Sequence, residues 1–447
     1  MPYWIRSTLN IAFSSFFSIT QVLASTSLTD EIEEHKPGPQ ECQTAHDLPT
    51  LNDDDYFSLM KLLPAKVVTR MGLSNKTNHG MASGIVKRRV RSMTLNQSAI
   101  AEHIDPSFVA KGVIEENLQD LLGHDKCILL PLNSKLRPHL PSSCAPLTLE
   151  DLRKNDDSAR TLYHAAFGRD WPEAQSDLAY EHLMAILSVN GVFIDSTNHD
   201  KGVRYFFQKK IDYFKEYLQK QATFHRYVSL HENNKDLDAL NEIPHTLVVT
   251  DKQMANKDFK ERLTDLLEIQ SQHRVLLSVG ESAVSRDGTL TMGRDFLPYN
   301  LHLLHLTNAR NNVKLIEQNF LANSINLDSV NFTGFMNLEQ IGPRFLSRCT
   351  YLRDFQFLGA PRLTRIGDSF LEECEYLKKA DLSNFHGLER IGQWFLSWCS
   401  VLTTVDLGPS PKLSQINHHF LHGSWLLTKE SEKKIKALLK SRHLKWL

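Results

Sequence analysis

A Phe-Leu pair recurs at a nearly constant interval through the last third of the chain. The pairs begin at Phe296, Phe320, Phe345, Phe370, Phe395 and Phe420, so one step is 24 residues and four steps are 25 residues. A fixed period in the twenties is typical of a solenoid in which each turn supplies a short strand and a return segment. Stacked turns present an extended surface. The period therefore favours a binding protein.

Apolar residues keep fixed positions relative to each Phe. Seven residues after the Phe begins an apolar triplet with spacings of three and two, as in Leu352, Phe355 and Phe357. This spacing predicts a short strand whose alternate side chains point inward. A further apolar column lies four residues before each Phe and is followed by Gly in four repeats, where we expect a tight corner with unusual dihedral angles. These glycines are Gly293, Gly342, Gly367 and Gly392.

The complete unit reads I-G-x-x-F-L-x-x-C-x-x-L-x-x-x-D-L, as in Ile366 to Leu382. It resembles the Treponema-type, BspA-like leucine-rich repeats of bacterial surface and host-contact proteins. The resemblance covers Met292 to Leu421. It implies an α/β fold with a leucine-rich repeat solenoid of short parallel strands and a role in protein–protein interaction. The periodicity of the preceding segments predicts a mainly helical region before the solenoid. We find none of the usual catalytic motifs in the sequence and therefore predict a protein without catalysis and without a cofactor.

Three cysteines, Cys349, Cys374 and Cys399, share one phase of the repeat. We expect them to form a ladder with about one strand spacing (~5 Å) between neighbours. That spacing permits a disulfide, but small apolar side chains filling a tight inner position are the favoured interpretation. A ladder spreads its members along a line, whereas a tetrahedral metal site needs ligands that converge on one point. We therefore predict free, buried thiols and no metal site.

The N-terminus has the pattern of a secretory signal. Arg6 precedes an apolar run from Ile11 to Ala24 that is diluted by serines and threonine, and Val22 and Ala24 suit signal peptidase. We predict cleavage after Ala24 and export, with a mature N-terminal helix as the alternative. The run is too short and polar for a membrane span, and no later stretch approaches one.

The segment 48–95 resembles a degenerate F-box: an acidic helix start, a Leu-Pro step and a second short helix. F-box proteins join such a head to leucine-rich repeats, so the resemblance implies contact with a Skp-type adaptor of a ubiquitin ligase. The implied adaptor-binding residues are Phe57, Leu59, Leu62, Leu63, Pro64, Val67 and Val68. Asn52 stands where the family has Pro, and Thr77-Asn78 replace basic and aromatic residues. A plain helical cap of the solenoid is the alternative.

The remaining boundaries follow from composition and periodicity. The predicted division is a signal peptide at 1–24, a linker at 25–47, the F-box-like segment at 48–95, a mainly helical or irregular region at 96–240, early repeats or a small α/β unit at 241–291, repeats at 292–425 and a capping helix at 426–447.

An enzyme with a catalytic domain at about 148–244 is one functional alternative. Asp195, His199 and Asp200 form a short acidic and histidine cluster there, which could bind metal or act as acid and base.

Residues between the inward positions of each strand should face outward and form the binding surface. On the first two repeat strands they are His305, Thr307, Asp328, Ser329 and Asn331. On the next three they are Arg353, Asp354, Gln356, Lys378, Lys379, Asp381, Thr403, Thr404 and Asp406. The strip is polar and mixed in charge. The chain has 51 basic and 52 acidic residues, so no net field attracts nucleic acid.

These observations leave two binding functions open. The first is an effector whose F-box-like head recruits a ubiquitin ligase while the repeats choose the target. The second is an exported surface or adhesion protein without a ubiquitin link. Both bind a protein partner through the solenoid.

Overall fold

The computed structural model describes residues 111–130, 134, 136–141, 143–221, 227–230, 245–292, 296–383, 385–408 and 410–444, with the isolated positions Gly84, Lys87, Val90, Arg91 and Thr94. The predicted signal peptide and linker lie outside the described residues. So does nearly all of the F-box-like segment.

The first described part combines helices with a small antiparallel sheet. Its helices are α1 (Lys111–Asp125), α2 (Leu149–Lys154), α3 (Asp156–Phe167), α4 (Ser176–Val189), α5 (His199–Tyr205) and α6 (Ile211–Gln221). Its strands are β1 (Cys127–Leu129), β2 (Cys144–Pro146) and β3 (Val192–Asp195), with β3 in the middle. We refer to residues 111–221 as the N-terminal domain.

Local sequence signals set the ends of its helices. Thr148 accepts a hydrogen bond from the Asp151 backbone N–H while the Asp151 carboxylate accepts from the Thr148 backbone, which is a capping box for α2. Helix α3 ends at Gly168, whose φ of 65° is the left-handed conformation that favours glycine. The inner face of α4 is apolar and buried, including Leu183 and Leu187.

The solenoid contains a parallel sheet of eight strands, which we call the main sheet. Its strands are β4 (Tyr227–Ser229), β5 (Thr246–Thr250), β6 (Arg274–Ser278), β8 (Leu303–Thr307), β10 (Ser329–Thr333), β12 (Asp354–Leu358), β14 (Lys379–Asp381) and β16 (Thr404–Asp406). Each strand pairs with the next one along this order, so the repeat strands are preceded by three strands in the same sheet. Helices α7 (Asp251–Met254) and α8 (Lys257–Ile269) join β5 to β6.

A second parallel sheet forms the opposite side of each turn. Its two-residue strands are β7 (Thr289–Leu290), β9 (Leu315–Ile316), β11 (Gln340–Ile341), β13 (Arg365–Ile366), β15 (Arg390–Ile391) and β17 (Gln415–Ile416). The apolar columns lie between the two sheets in one continuous core. The predicted fold class, a solenoid of short parallel strands after a helical region, is confirmed.

The Phe column forms a stack that runs along the solenoid. Ring centroids of successive residues from Phe320 to Phe420 lie 5.6, 5.2, 5.4 and 5.3 Å apart, with interplanar angles between 4° and 9°. Such spacings fall within the favourable range for aromatic pairs. Because each ring contacts the ring 25 residues away, an insertion in one turn would break the stack.

The cysteine ladder is buried and its thiols are free. Each thiol donates to the main-chain carbonyl 28 residues earlier: Cys349 to Leu321 at 3.1 Å, Cys374 to Leu346 at 3.2 Å and Cys399 to Leu371 at 3.1 Å. Ser424 continues the ladder, with its hydroxyl 2.8 Å from the carbonyl of Leu396. Burial raises the pKa of the Cys349 and Cys399 thiols to about 12. The ladder therefore connects one turn to the next.

Of the four repeat glycines, Gly293 lies outside the described residues, and the other three serve a different purpose from the predicted one. Gly342, Gly367 and Gly392 do not have positive φ; instead, a Cβ atom on each would lie 2.5–2.8 Å from the backbone of the preceding turn. Glycine is needed there because the turns approach closely. The left-handed conformations belong to other corner residues, including the Leu of the last five Phe-Leu pairs, such as Leu371 with φ 53°. The Leu371 N–H donates to the Phe345 carbonyl at 2.9 Å, so contacts between turns hold this strained backbone.

The last turn is covered by helix α9 (Lys429–Ser441), whose Ile435 and Leu439 join the core. Ser431 Oγ lies 3.0 Å from the N–H of Val405 and 3.2 Å from its carbonyl. The helix therefore partners main-chain groups of the final strand β16 that an edge would otherwise expose.

We expect Gly367→Ala to lower the free energy of unfolding by about 1–3 kcal/mol, because the added methyl group meets backbone that no rotamer change can move. Gly123→Ala in α1 is the matched control: its Cβ would meet no atom within 4 Å, and alanine is the better helix former. Urea unfolding followed by circular dichroism measures both. Equal stability of Gly367→Ala and the unchanged chain would contradict the close approach.

Candidate functional site

The outward side chains of the main sheet form rows that cross all its strands. The central row runs through Ser229, Val248, Leu276, His305, Asn331, Gln356, Asp381 and Asp406, as the strand register requires. Its first five members are buried and its last three are exposed. The surface therefore changes character halfway along the solenoid.

The N-terminal domain covers the first strands of the main sheet. Val248 and Leu276 point away from the solenoid core and belong to the hydrophobic cluster that includes Leu183 and Leu187 of α4. Helix α4 contacts β5, β6 and β8. The apolar residues in the first part of the row thus pack against a helix.

Buried polar groups also join the two parts. His182 on α4 contacts Ser229 Oγ on β4 with Nδ1 at 2.6 Å and Gln253 Oε1 with Nε2 at 3.1 Å. The Tyr163 hydroxyl donates to Ser229 Oγ at 3.0 Å. His182 and Ser229 have no exposed surface. These buried contacts join α3 and α4 to the sheet.

An ion-pair bridge lies at the edge of this interface. The Arg310 guanidinium contacts Glu181 of α4 and Glu281, each at 2.6 Å. The carboxylates hold the pKa of Arg310 above its usual value, against the effect of burial. This bridge connects the loop after β8 with the N-terminal domain.

The prediction that the outward strip is exposed is wrong for four of its five residues at the first two repeat strands. His305, Thr307, Ser329 and Asn331 are buried, whereas Asp328 is half-buried. His305 is 3 % exposed, with Nε2 at 3.4 Å from Thr333 Oγ1. Burial and, to a smaller extent, the nearby cations Arg274 and Arg137 together lower its pKa to about 3.

The nine predicted binding residues on the following strands are accessible. Arg353, Asp354, Gln356, Lys378, Lys379, Asp381 and Asp406 are exposed, and Thr403 and Thr404 are half-buried. The structure brings them together on three adjacent strands and the residues just before them. We call these nine residues the open strand face. It carries charges of both signs: Lys379 and Asp381 share one strand, and Arg353 Nε lies 3.4 Å from Oδ1 of Asp328, a neighbour of the face.

Aromatic residues beside this face were missed in the sequence. Tyr351 and Tyr376 are 50 % and 43 % exposed, and their rings stack with centroids 5.4 Å apart. Arg353 lies over the Tyr376 ring at 5.9 Å. Val401 and Leu426 occupy the same repeat phase, and Leu426 is exposed. We call this set of four residues the rim column.

A signal for the rim column is present in the sequence. Tyr, Tyr, Val and Leu recur at a phase that lies outside the inward apolar columns.

A depression of about 440 Å³ lies beside Tyr351 and Arg353 and extends to His302. Tyrosine and arginine are enriched among residues that dominate binding energy at protein interfaces.

Two residues of the acidic and histidine cluster, Asp195 and His199, make contacts that stabilise local structure. Asp195 Oδ1 accepts from the Thr197 backbone N–H at 3.1 Å and begins a short helical turn. His199 Nε2 lies 2.9 Å from Asp151 Oδ2, the carboxylate of the α2 capping box. These groups contact different partners instead of converging on one point.

Other predicted features fall partly outside the structure. The seven adaptor-binding residues, Phe57 to Val68, lie outside the described residues, so this role stays a prediction. Within the described ranges, no three His, Cys, Asp or Glu side chains are placed to hold a metal ion. The helices of the described part include none with the length and apolarity needed to cross a membrane.

Comparison with known proteins agrees with the repeat assignment. Residues 299–441 match the family described as BspA type leucine rich repeat region, in six copies. This confirms the resemblance for the repeats. No curated protein matches the chain.

One solved structure is similar over a short stretch, a leucine rich cell surface protein from Faecalibacterium prausnitzii A2-165. The identity is 18 % and the TM-score 0.23, and the match covers 29 % of this chain and 38 % of the other. The aligned segment thus spans well under half of that protein.

We expect acid to destabilise the protein partly through His305. Its folded pKa of about 3 is below the unfolded value of about 6.5, so the unfolded chain binds a proton first and stability falls as pH drops below 6.5. His305→Gln should reduce the loss of unfolding free energy between pH 7 and pH 4 by about 3 kcal/mol. Urea unfolding at both pH values measures this loss. Asn331→Ser should keep the original pH dependence; the same dependence in His305→Gln would contradict the prediction.

Proposed function

We propose that this BspA-type leucine-rich repeat region binds a protein partner through the open strand face and the rim column. The observation that carries the proposal is the division of one continuous sheet. The N-terminal domain buries the outward side of its first strands, while three strands near its other end keep theirs accessible beside stacked tyrosines.

The chemistry of this surface suits a polar partner with apolar contacts at one edge. Tyr351 and Tyr376 supply rigid aromatic area, and Arg353 between them can donate to a carboxylate. The open strand face adds Lys378 and Lys379 beside Asp381 and Asp406, so complementary charges on a partner would fix its register. A mixed-charge surface of this kind favours selectivity over general adhesion to one sign of charge.

Export of the protein is a further part of the proposal. Its support is the pattern of the first 24 residues, a basic residue, an apolar run and small residues before the predicted cleavage point at Ala24. The partner would then lie outside the cell that makes the protein. Recruitment of a Skp-type adaptor by the F-box-like segment is the finer hypothesis, and the pattern from Leu51 to Lys76 is what supports it.

The test is capture of partners by the immobilised full chain, from culture supernatant and from cell extracts, with quantification by mass spectrometry. In the face variant, Tyr351, Arg353 and Tyr376 are each replaced by Ser. Because loss of one interface anchor costs about 2 kcal/mol, the partner's affinity should fall at least ~30-fold. The control variant carries Ser at Arg365, Arg390 and Gln415, exposed positions on the second sheet.

The pattern of retention decides the result. A partner kept by the control variant and lost by the face variant supports the proposed surface. Equal retention by the face variant and the unchanged chain contradicts it. A partner lost only in the double variant Leu62→Asp/Leu63→Asp would assign that binding to the F-box-like segment instead.

A further inference from the structure

A groove separates the N-terminal domain from the loops that follow the main-sheet strands. Its volume is about 590 Å³, within the range of small-ligand sites. One wall comes from β2, β3 and the turn at Arg137–His139; the other comes from the loops after β8, β10 and β12. These loops follow the C-terminal ends of the strands, whereas the open strand face lies on the strands and the residues just before them. The groove is therefore a different site from the open strand face.

The domain wall is mainly apolar. Leu140, Pro146, Val192 and Phe193 line it, and Met336 faces the same space from the solenoid side. Strand β2 is an edge of its three-stranded sheet, so main-chain groups of Cys144 and Ala145 border the groove. An apolar body with polar ends would fit between these walls.

The solenoid wall carries amide side chains, of which Asn308 is the most informative. Asn308 is 1 % exposed, and its Oδ1 accepts from the Asn312 backbone N–H at 3.3 Å. Its Nδ2 has no hydrogen-bond acceptor in the part of the chain that the structure describes. A buried amide donor without an acceptor costs about 1–3 kcal/mol. An oxygen atom of a ligand would remove that cost.

Arg137 and Arg362 give the groove positive charge, and the lining residues within the described ranges include no Asp or Glu. Arg137 donates to the main-chain carbonyls of Leu130 and Val189, and burial lowers its pKa to about 9. Arg362 is exposed at the solenoid wall and forms no ion pair with the described residues.

We propose that this groove binds a carboxylate attached to an apolar body. Arg362 and the Asn308 Nδ2 donor would hold the carboxylate, while Phe193, Pro146 and Met336 contact the apolar part. Arginine and amide donors to a carboxylate form charge-assisted hydrogen bonds, which are stronger than neutral ones. The carboxylate could belong to the C-terminus of a peptide or to a free organic acid.

The test uses two matched pairs of probes with the full chain. The peptide pair is N-acetyl-Leu-Phe as the free acid and as the C-terminal amide. The organic pair is 4-phenylbutyrate and 4-phenylbutyramide. Calorimetric titration to about 10 mM covers the affinities expected of such small ligands. An acid that binds at least tenfold more tightly than its amide supports the proposal, and the pair that shows this difference identifies the source.

Two variants place the carboxylate. Arg362→Gln removes an exposed cation. Asn308→Asp keeps the oxygen that accepts from the Asn312 N–H and replaces the amide donor with a negative charge. Each variant should lower the affinity for the acid at least tenfold. Arg390→Gln on β15 removes an equally exposed cation from the other sheet and should leave binding unchanged. Urea unfolding of Asn308→Asp verifies that it is folded.

Three results would overturn the proposal. The acids and amides bind with equal affinity, or neither acid binds by about 10 mM, or Arg362→Gln binds the acids as well as the unchanged chain does.

Discussion

The stack of phenylalanine rings is the constraint on which the rest of the molecule depends. Each ring contacts the ring one turn away, so every turn must return the chain to the same place after 25 residues. The same return aligns the main-sheet strands in register and sets the cysteine thiols beneath carbonyls of the previous turn. It also requires glycine at Gly367 and its equivalents, since the backbones of adjacent turns nearly touch there.

A solenoid of this kind has two ends and one long outward surface. Different parts of the chain cover its two ends. Helix α9 partners the last strand through Ser431. At the other end the N-terminal domain covers outward apolar residues such as Leu276 and encloses a polar group, His305. The accessible part of the main sheet's outward surface is consequently confined to the strands from Asp354 onward. Position along the solenoid, more than residue type, decides which polar side chains can meet a partner.

The periodic part of this arrangement could be predicted from the sequence, because each column of the repeat reports the same environment several times. The inward columns, the strands and the burial of Cys349, Cys374 and Cys399 follow from it. The role of Gly367 could not be predicted from the sequence. Glycine at a corner is compatible both with a positive φ and with a close approach of two backbones, and only the structure distinguishes these two causes. Tyr351 and Tyr376 had a signal in their phase, but an exposed aromatic column has the same spacing as a buried one.

Contacts between segments that are far apart in the chain produce no periodic pattern in the sequence, so they could not be predicted from it. The covering of His305 depends on α4, more than a hundred residues earlier, and the groove joins Phe193 to Asn308 and Arg362. No spacing rule connects such positions. The exposed half of the strip was predicted correctly because nothing in the described residues packs on it, whereas the first half was wrong because a separate domain does.

One half of the main sheet's outward surface is covered by the N-terminal domain and the other half is open. Hydroxyl-radical footprinting of the full chain, with oxidation measured at single residues by mass spectrometry, tests this division. We expect rapid oxidation of Tyr351, Tyr376 and Leu426 and protection of Leu276 and His305. Oxidation of Leu276 and His305 at the rate of the exposed tyrosines would show that the N-terminal domain does not cover the sheet, and the division would be wrong.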